Sequence, residues 1–113
     1  MVKKAKPFFS IITCTRNSEK FISQNLSSMK NQTFNDFEHV FVDGESTDDT
    51  VKLLKEYKKD NPKLNIRILS KKPQGISNAM NEGIKKSRGK YIFILHSDDS
   101  FYNNSILENS AKY

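Results

Sequence analysis

A single cysteine, Cys14, leaves this chain without an internal disulfide or a thiolate metal cage. It falls inside an expected strand, where a buried, inert thiol is the ordinary reading. No stretch approaches the roughly 18 apolar residues needed to span a bilayer. The basic opening "MVKKAKP" is not followed by the apolar run of a signal peptide. A soluble protein of the cytoplasm is expected, the inner face of the membrane included. Several motifs are missing as well. No G-x-G-x-x-G follows the first strand, which argues against a dinucleotide-binding dehydrogenase. No G-x-x-x-x-G-K-[ST] is present, which removes the P-loop NTPases. The G-x-S-x-G elbow and metal-binding His pairs are absent too. With no repeat, low-complexity tract or linker, residues 1–113 are expected to form one domain around one core.

What is present begins with charge. Nineteen Lys and Arg stand against 13 Asp and Glu, a formal charge of +6. Such an excess attracts polyanions or phosphorylated small molecules. The cations are spread over the expected helices and form no nucleic-acid-binding tail, so a solvated surface is the ordinary reading and nucleic acid is not an expected partner.

Apolar residues come in clusters. "FFSIITC" at 8–14 is nearly continuous, as in a strand covered on both faces. Asn17 and Ser18 are expected to cap a helix in which Phe21, Ile22, Leu26 and Met29 share one side. A second strand runs from Glu38 to Asp43 and stops at Gly44. "STDD" opens a helix over 47–60, with Ser46 or Thr47 as cap and Asn61-Pro62 as its end. "NIRILS" at 65–70 is the third strand. Ile76, Ala79, Met80, Gly83 and Ile84 mark a third helix closed by Arg88-Gly89. The fourth strand, Tyr91 to about His96, is apolar enough for burial, and a short helix is expected over 104–113.

Strands alternating with helices predict an α/β domain, a mainly parallel sheet with helices on its faces. Ligands of such sheets bind beyond the carboxyl ends of the strands, where the winding reverses. The distinctive polar residues lie at those ends: Thr15-Arg16-Asn17, Asp43-Gly44, Lys71 to Gly75 and Asp98-Asp99. Two adjacent carboxylates at a strand tip repel unless something positive joins them. Oxygen ligands favour Mg2+ or Mn2+, with substrate phosphates completing the shell. The plainer reading is that both acids are solvated or cap the last helix. His96 is a further candidate ligand, although a lone His beside a strand is usually a packing residue. Asp43 is placed to accept from a base or ribose, or to cap the helix that follows. Arg16, Lys71 and Lys72 can meet a base or phosphates, or be surface cations.

Taken together these segments resemble the family 2 glycosyltransferases of GT-A fold, over about Phe9 to Phe101. The matching phrases are a strand ending in Thr-x-Asn, "QTF-x-x-F-E", "VDG-x-STD-x-T", "GIS-x-AMN-x-GI-x-x-x-x-G-x-YI" and the aspartate pair. The resemblance implies a Rossmann-like three-layer α/β/α fold. It implies transfer of a sugar from a nucleotide-diphosphate donor, UDP-linked above all, to an acceptor hydroxyl with inversion, for a bacterial polysaccharide or similar glycan. Thr13, Cys14, Thr15 and Arg16 would then line the base and ribose pocket, with Asp43 facing the base. Ser97 and Asp98 would belong to the DXD-type element, and Asp98 with Asp99 would hold the metal. His96 stands where the first acid of that element is usual. Gln74 and Asn78 also replace acids that many relatives carry.

Family members usually continue well beyond the metal motif, into an acceptor-binding half that supplies the general base. The expectation is therefore a donor-binding half, inactive alone, whose parent takes a glycan or lipid-linked acceptor and whose uncovered surface favours self-association. The competing readings are a nucleotide-sugar-binding module without catalysis, and a basic domain for membrane or nucleic acid. The second of these predicts salt-sensitive binding to polyanions irrespective of metal.

Overall fold

The structure, a computed structural model, describes residues 6–73, 75–98 and 105–111. Four strands and four helices alternate: β1 (Phe9–Thr15), α1 (Ile22–Lys30), β2 (Phe37–Asp43), α2 (Thr50–Asp60), β3 (Asn65–Ser70), α3 (Ile76–Lys86), β4 (Tyr91–Ile94) and α4 (Ile106–Ala111). All strand pairs are parallel, and the order is β3-β2-β1-β4. The chain therefore winds outward from β1 through β2 to β3, then crosses back to add β4 on the other side of β1. That reversal opens a crevice beyond the strand ends.

Alternation along β1 and β2 divides the core into two layers. Phe9 and Ile11 join Phe37 and Phe41 on one face, packed against Ile22 and Met29 of α1, Leu54 and Tyr57 of α2, and Leu107 of α4. Ile12, Val40 and Val42 face the other way, where Ala79 of α3 meets them. The Rossmann-like, three-layer α/β/α arrangement expected from the sequence is thus present. Gly83 lets α3 lie close: a Cβ there would come 2.6 Å from Ile12 Cγ2.

A buried polar knot ties the far end of the sheet. Glu38 is fully buried; it accepts from Ser10 Oγ at 2.5 Å, the Arg88 amide at 2.6 Å and Arg67 Nη1 at 3.0 Å. Burial pushes its carboxyl up, but these donors outweigh it and hold Glu38 below its ordinary value. Arg67 Nη1 also reaches the Lys86 carbonyl, so the knot locks the turn between α3 and β4 onto the sheet.

Several local expectations change. α1 begins at Ile22, not beside Asn17 and Ser18, because the Ser18 carbonyl first accepts from the amides of Phe21 and Ile22 in a turn. Phe21 consequently leaves the buried side and is 55% exposed. α2 begins at Thr50, and neither Ser46 nor Thr47 caps it: Ser46 is committed to Asp43, and Asp48 Oδ1 takes the Thr50 amide and hydroxyl instead. Gly89 does not close a helix. It lies so close to β1 that a Cβ would meet the Ser10 amide nitrogen at 2.5 Å. β4 ends at Ile94 and, among the described residues, lies at a sheet edge, and Tyr91 and Ile92 are about half exposed rather than buried. Asp99, Gln74 and residue 104 fall outside the described residues.

Candidate functional site

The loop after β1 is shaped by Asn17, whose φ of 48° lies in the left-handed region that Asn tolerates better than most residues. That conformation aims its Oδ1 across the crevice, where it accepts from the amides of Thr47 and Asp48 at 2.8 and 3.3 Å and from the Thr47 hydroxyl. The Asn17 amide donates to Ser46 Oγ, and the Ser18 amide to Thr50 Oγ1, each at 2.8 Å. The loops after β1 and β2 are zipped into one wall.

Asp43 anchors that wall. It is nearly buried; Oδ1 accepts from Thr15 Oγ1 at 2.7 Å and Ser46 Oγ at 2.6 Å, while Oδ2 accepts from the Ser46 amide at 2.9 Å. Thr15 and Asp43 are register partners on adjacent strands, so the bond follows from the parallel pairing. Thr13, two residues earlier on the same face, is sealed off from the crevice. Its Oγ1 lies 2.9 Å from Nε2 of the buried His39, which stacks on Phe41 at 3.9 Å. Burial drives the His39 pKa down to about 3, so the imidazole is neutral at ordinary pH.

A cleft of about 500 Å³ opens over the strand ends. Cys14, Thr15, Arg16 and Ser18 come to it from β1 and its loop, Gly44 from β2, Lys71 to Pro73 from the end of β3, and Ser97 from the end of β4. Gly44 sits between them, where an added Cβ would lie 3.7 Å from both Arg16 Cδ and Pro73 Cβ. The lining carries three cations and no carboxylate, which suits an anionic ligand. Cys14 is half-buried, and burial pushes its thiol up, so it enters the cleft as a neutral thiol.

A smaller cavity of about 250 Å³ adjoins, lined by Cys14, Arg16, Asn17, Ser18, Phe21, His96, Ser97 and Asp98. Ser18 Oγ lies 3.3 Å from Ser97 Oγ, and Asn25 Nδ2 holds the His96 carbonyl at 3.0 Å, which moors the end of β4 to α1. Of the residues singled out in the sequence, the structure brings Cys14, Thr15, Arg16, Ser97 and Asp98 to these two cavities. Asp43 stands behind Thr15, and Thr13 is on the buried side. Asp99 is outside the described residues. Ser18, Ala79 and Phe21 are site-lining residues that the sequence did not single out as such, whereas Pro73 lies in the Lys71 to Gly75 loop expected at this edge. Ser18 looked like a cap and Phe21 like core, and only the turn at 18–21 separates those roles.

Residues 10–109 match the family described as Glycosyl transferase family 2. The chain belongs to that family. Among relatives, chondroitin synthase of Escherichia coli is 38% identical over 96 residues, which is 85% of this chain and 14% of that protein. Staphylococcus aureus TarS residues 1–349, solved in complex with UDP-GlcNAc, superpose with a TM-score of 0.84 at 33% identity, covering 92% of this chain and 30% of that one. A mannosyltransferase from Pyrobaculum calidifontis, solved with GDP-Man and Mn2+, matches in fold with a TM-score of 0.88 at 23% identity, over 96% of this chain and 32% of that one. This family 2 chain spans less than half the length of the curated relatives it matches, from 14% to 42%. It shares the GT-A fold of the solved glycosyltransferases. Among the described residues no helix is long and apolar enough to cross a membrane.

Proposed function

We propose that this chain binds the donor of a transferase that moves a sugar from a nucleotide diphosphate, UDP in the first instance, to an acceptor hydroxyl with inversion. The observation that carries the reading is the cleft itself, where residues from the ends of all four strands converge, polar side chains from β1, β3 and β4 and Gly44 from β2. The nucleoside lies over the tips of β1 to β3, with Thr15 and Arg16 beside it and Asp43 fixing Thr15. Asp43 acts chiefly through that bond, since its carboxylate is already engaged by donors from Thr15 and Ser46. Arg16, Lys71 and Lys72 offset phosphate charge. The diphosphate extends toward Ser97 and Asp98.

Asp98 is exposed at the β4 end, with His96 two residues before it. Among the described residues no three His, Cys, Asp or Glu side chains converge as a cage. Such a donor set fits a Mg2+ or Mn2+ that takes one or two carboxylate oxygens and completes its shell from substrate phosphates. When bound, that metal stabilises the charge developing on the leaving nucleoside diphosphate. The base that takes the acceptor proton is assigned to none of the described residues. A glycan or lipid-linked acceptor, work in the cytoplasm or at the inner membrane face, and self-association through the exposed Ile84, Tyr91 and Ile92 complete the proposal. His96, in place of the usual first acid, favours one second reading: a nucleotide-sugar-binding module without catalysis.

Calorimetric titration with UDP, in Mn2+ and then in EDTA, tests the reading. Metal-dependent binding that Asp98→Asn abolishes supports the metal-assisted site. Metal-independent binding supports the non-catalytic module. Failure of a folded chain to bind UDP or any other nucleoside diphosphate would overturn both.

A further inference from the structure

A single exposed apolar side chain on a protein surface means little. Phe21 differs because of what surrounds it. It is 55% exposed and lines the small cavity together with His96 and Asp98. Its backbone is held there by the hydrogen bond that the Phe21 amide donates to the Ser18 carbonyl at 2.9 Å. α1 turns Ile22, Asn25 and Met29 inward, so Phe21 lies off the buried side and contributes nothing to the helix core.

The cavity is an annex of the main cleft, since Cys14, Arg16, Ser18 and Ser97 line both. At about 250 Å³ it falls below the range of about 300–1,000 Å³ typical of a whole small-molecule ligand. It is sized for one group of a larger ligand. A ring with an apolar C–H face and a rim of hydroxyls meets its chemistry, since the lining brings together an aromatic ring, a carboxylate and an imidazole. The nucleoside diphosphate has its place in the main cleft, which brings Arg16, Lys71 and Lys72, and the annex beyond Ser97 is left for the next group along the donor.

We infer that Phe21 is the stacking platform for the sugar ring of the nucleotide-sugar donor, seated in the annex beside Asp98; the inference rests on the donor-binding reading above. The nucleoside diphosphate fills the main cleft, and the sugar passes Ser97 to lie on the Phe21 ring. Phe21 is then a determinant of affinity for the sugar and not for the nucleotide.

Calorimetry with UDP and with UDP-GlcNAc, UDP-glucose and UDP-galactose separates the two. The chain should bind at least one UDP-sugar more tightly than UDP. Phe21→Ala and the bulkier Phe21→Leu should leave UDP affinity unchanged and cut that preference by roughly twofold to tenfold, the worth of one aromatic stacking contact. Phe21→Trp should keep it. An unchanged preference in the Ala and Leu variants, an equal loss for UDP and UDP-sugar, or no preference in the parent would each overturn the platform. No UDP binding by the parent would instead bring down the donor-binding reading and the platform with it.

Discussion

Thr15 and Asp43 are partners in the parallel register of β1 and β2, and the Thr15 hydroxyl donates to Asp43 Oδ1 across 2.7 Å. The bond joins the two strands at the mouth of the cleft. Ser46 adds two further donors, so a single buried carboxylate fixes the position of both loops.

Asp43→Asn keeps an oxygen for the hydroxyls but turns an N–H toward the Ser46 amide, leaving two partly buried donors opposed. A loss of about 1–3 kcal/mol of stability is expected. UDP affinity should fall with it, because the loop that carries Arg16 is no longer pinned. Urea unfolding alongside UDP titration measures both. A variant as stable as the parent would show that Asp43 does not anchor the wall.

His39 makes stability depend on pH. Folding holds its pKa at about 3, against 6.5 in the unfolded chain, so the unfolded chain takes up the proton first. Its contribution is complete above pH 6.5 and is lost as pH falls from there toward 3. The loss at pH 5 relative to pH 8 should be about 2 kcal/mol. Urea midpoints measured from pH 8 to pH 5 read this directly, and His39→Gln should remove most of the slope. A flat profile in the parent would mean that His39 is hydrated in solution.

Glu45 sits at φ 55°, in the left-handed region, immediately after Gly44. A side chain there raises the energy by about 1–2 kcal/mol, partly offset by the extra freedom glycine gains when unfolded. Glu45→Gly should therefore stabilise the chain by about 0.5–1 kcal/mol, read as a raised thermal midpoint. A lowered midpoint would show that the Glu45 side chain makes contacts worth more than the strain.

Much of this molecule is legible in its sequence. The β1 run "FSIITCT" has apolar residues at both odd and even positions, which dictates a strand covered on both faces, and β1 is central. The convergence of Arg16, Gly44, Lys71 and Ser97 on one edge follows from parallel strands, since every strand then ends on the same side. β4 was harder. "YIFIL" is as apolar as β1, but burial depends on what lies beside a strand, and among the described residues β4 has a neighbour on one edge only.

By itself the sequence determined the periodicities, the alternation of strands and helices, and the family, because these depend on residue types at fixed spacings. Only the tertiary structure decided which polar groups face one another. Ser46 serves Asp43 instead of a helix, Thr13 turns to His39 instead of the cleft, and Phe21 stands at the mouth of a cavity instead of in the core. The physical reason is that a hydroxyl or a ring has several partners compatible with its local sequence. For Ser46 and Phe21 a group three residues away decides among them, whereas for Thr13, Thr15, Asn17 and Ser18 the choice falls to groups 26–32 residues away, brought near by strand register.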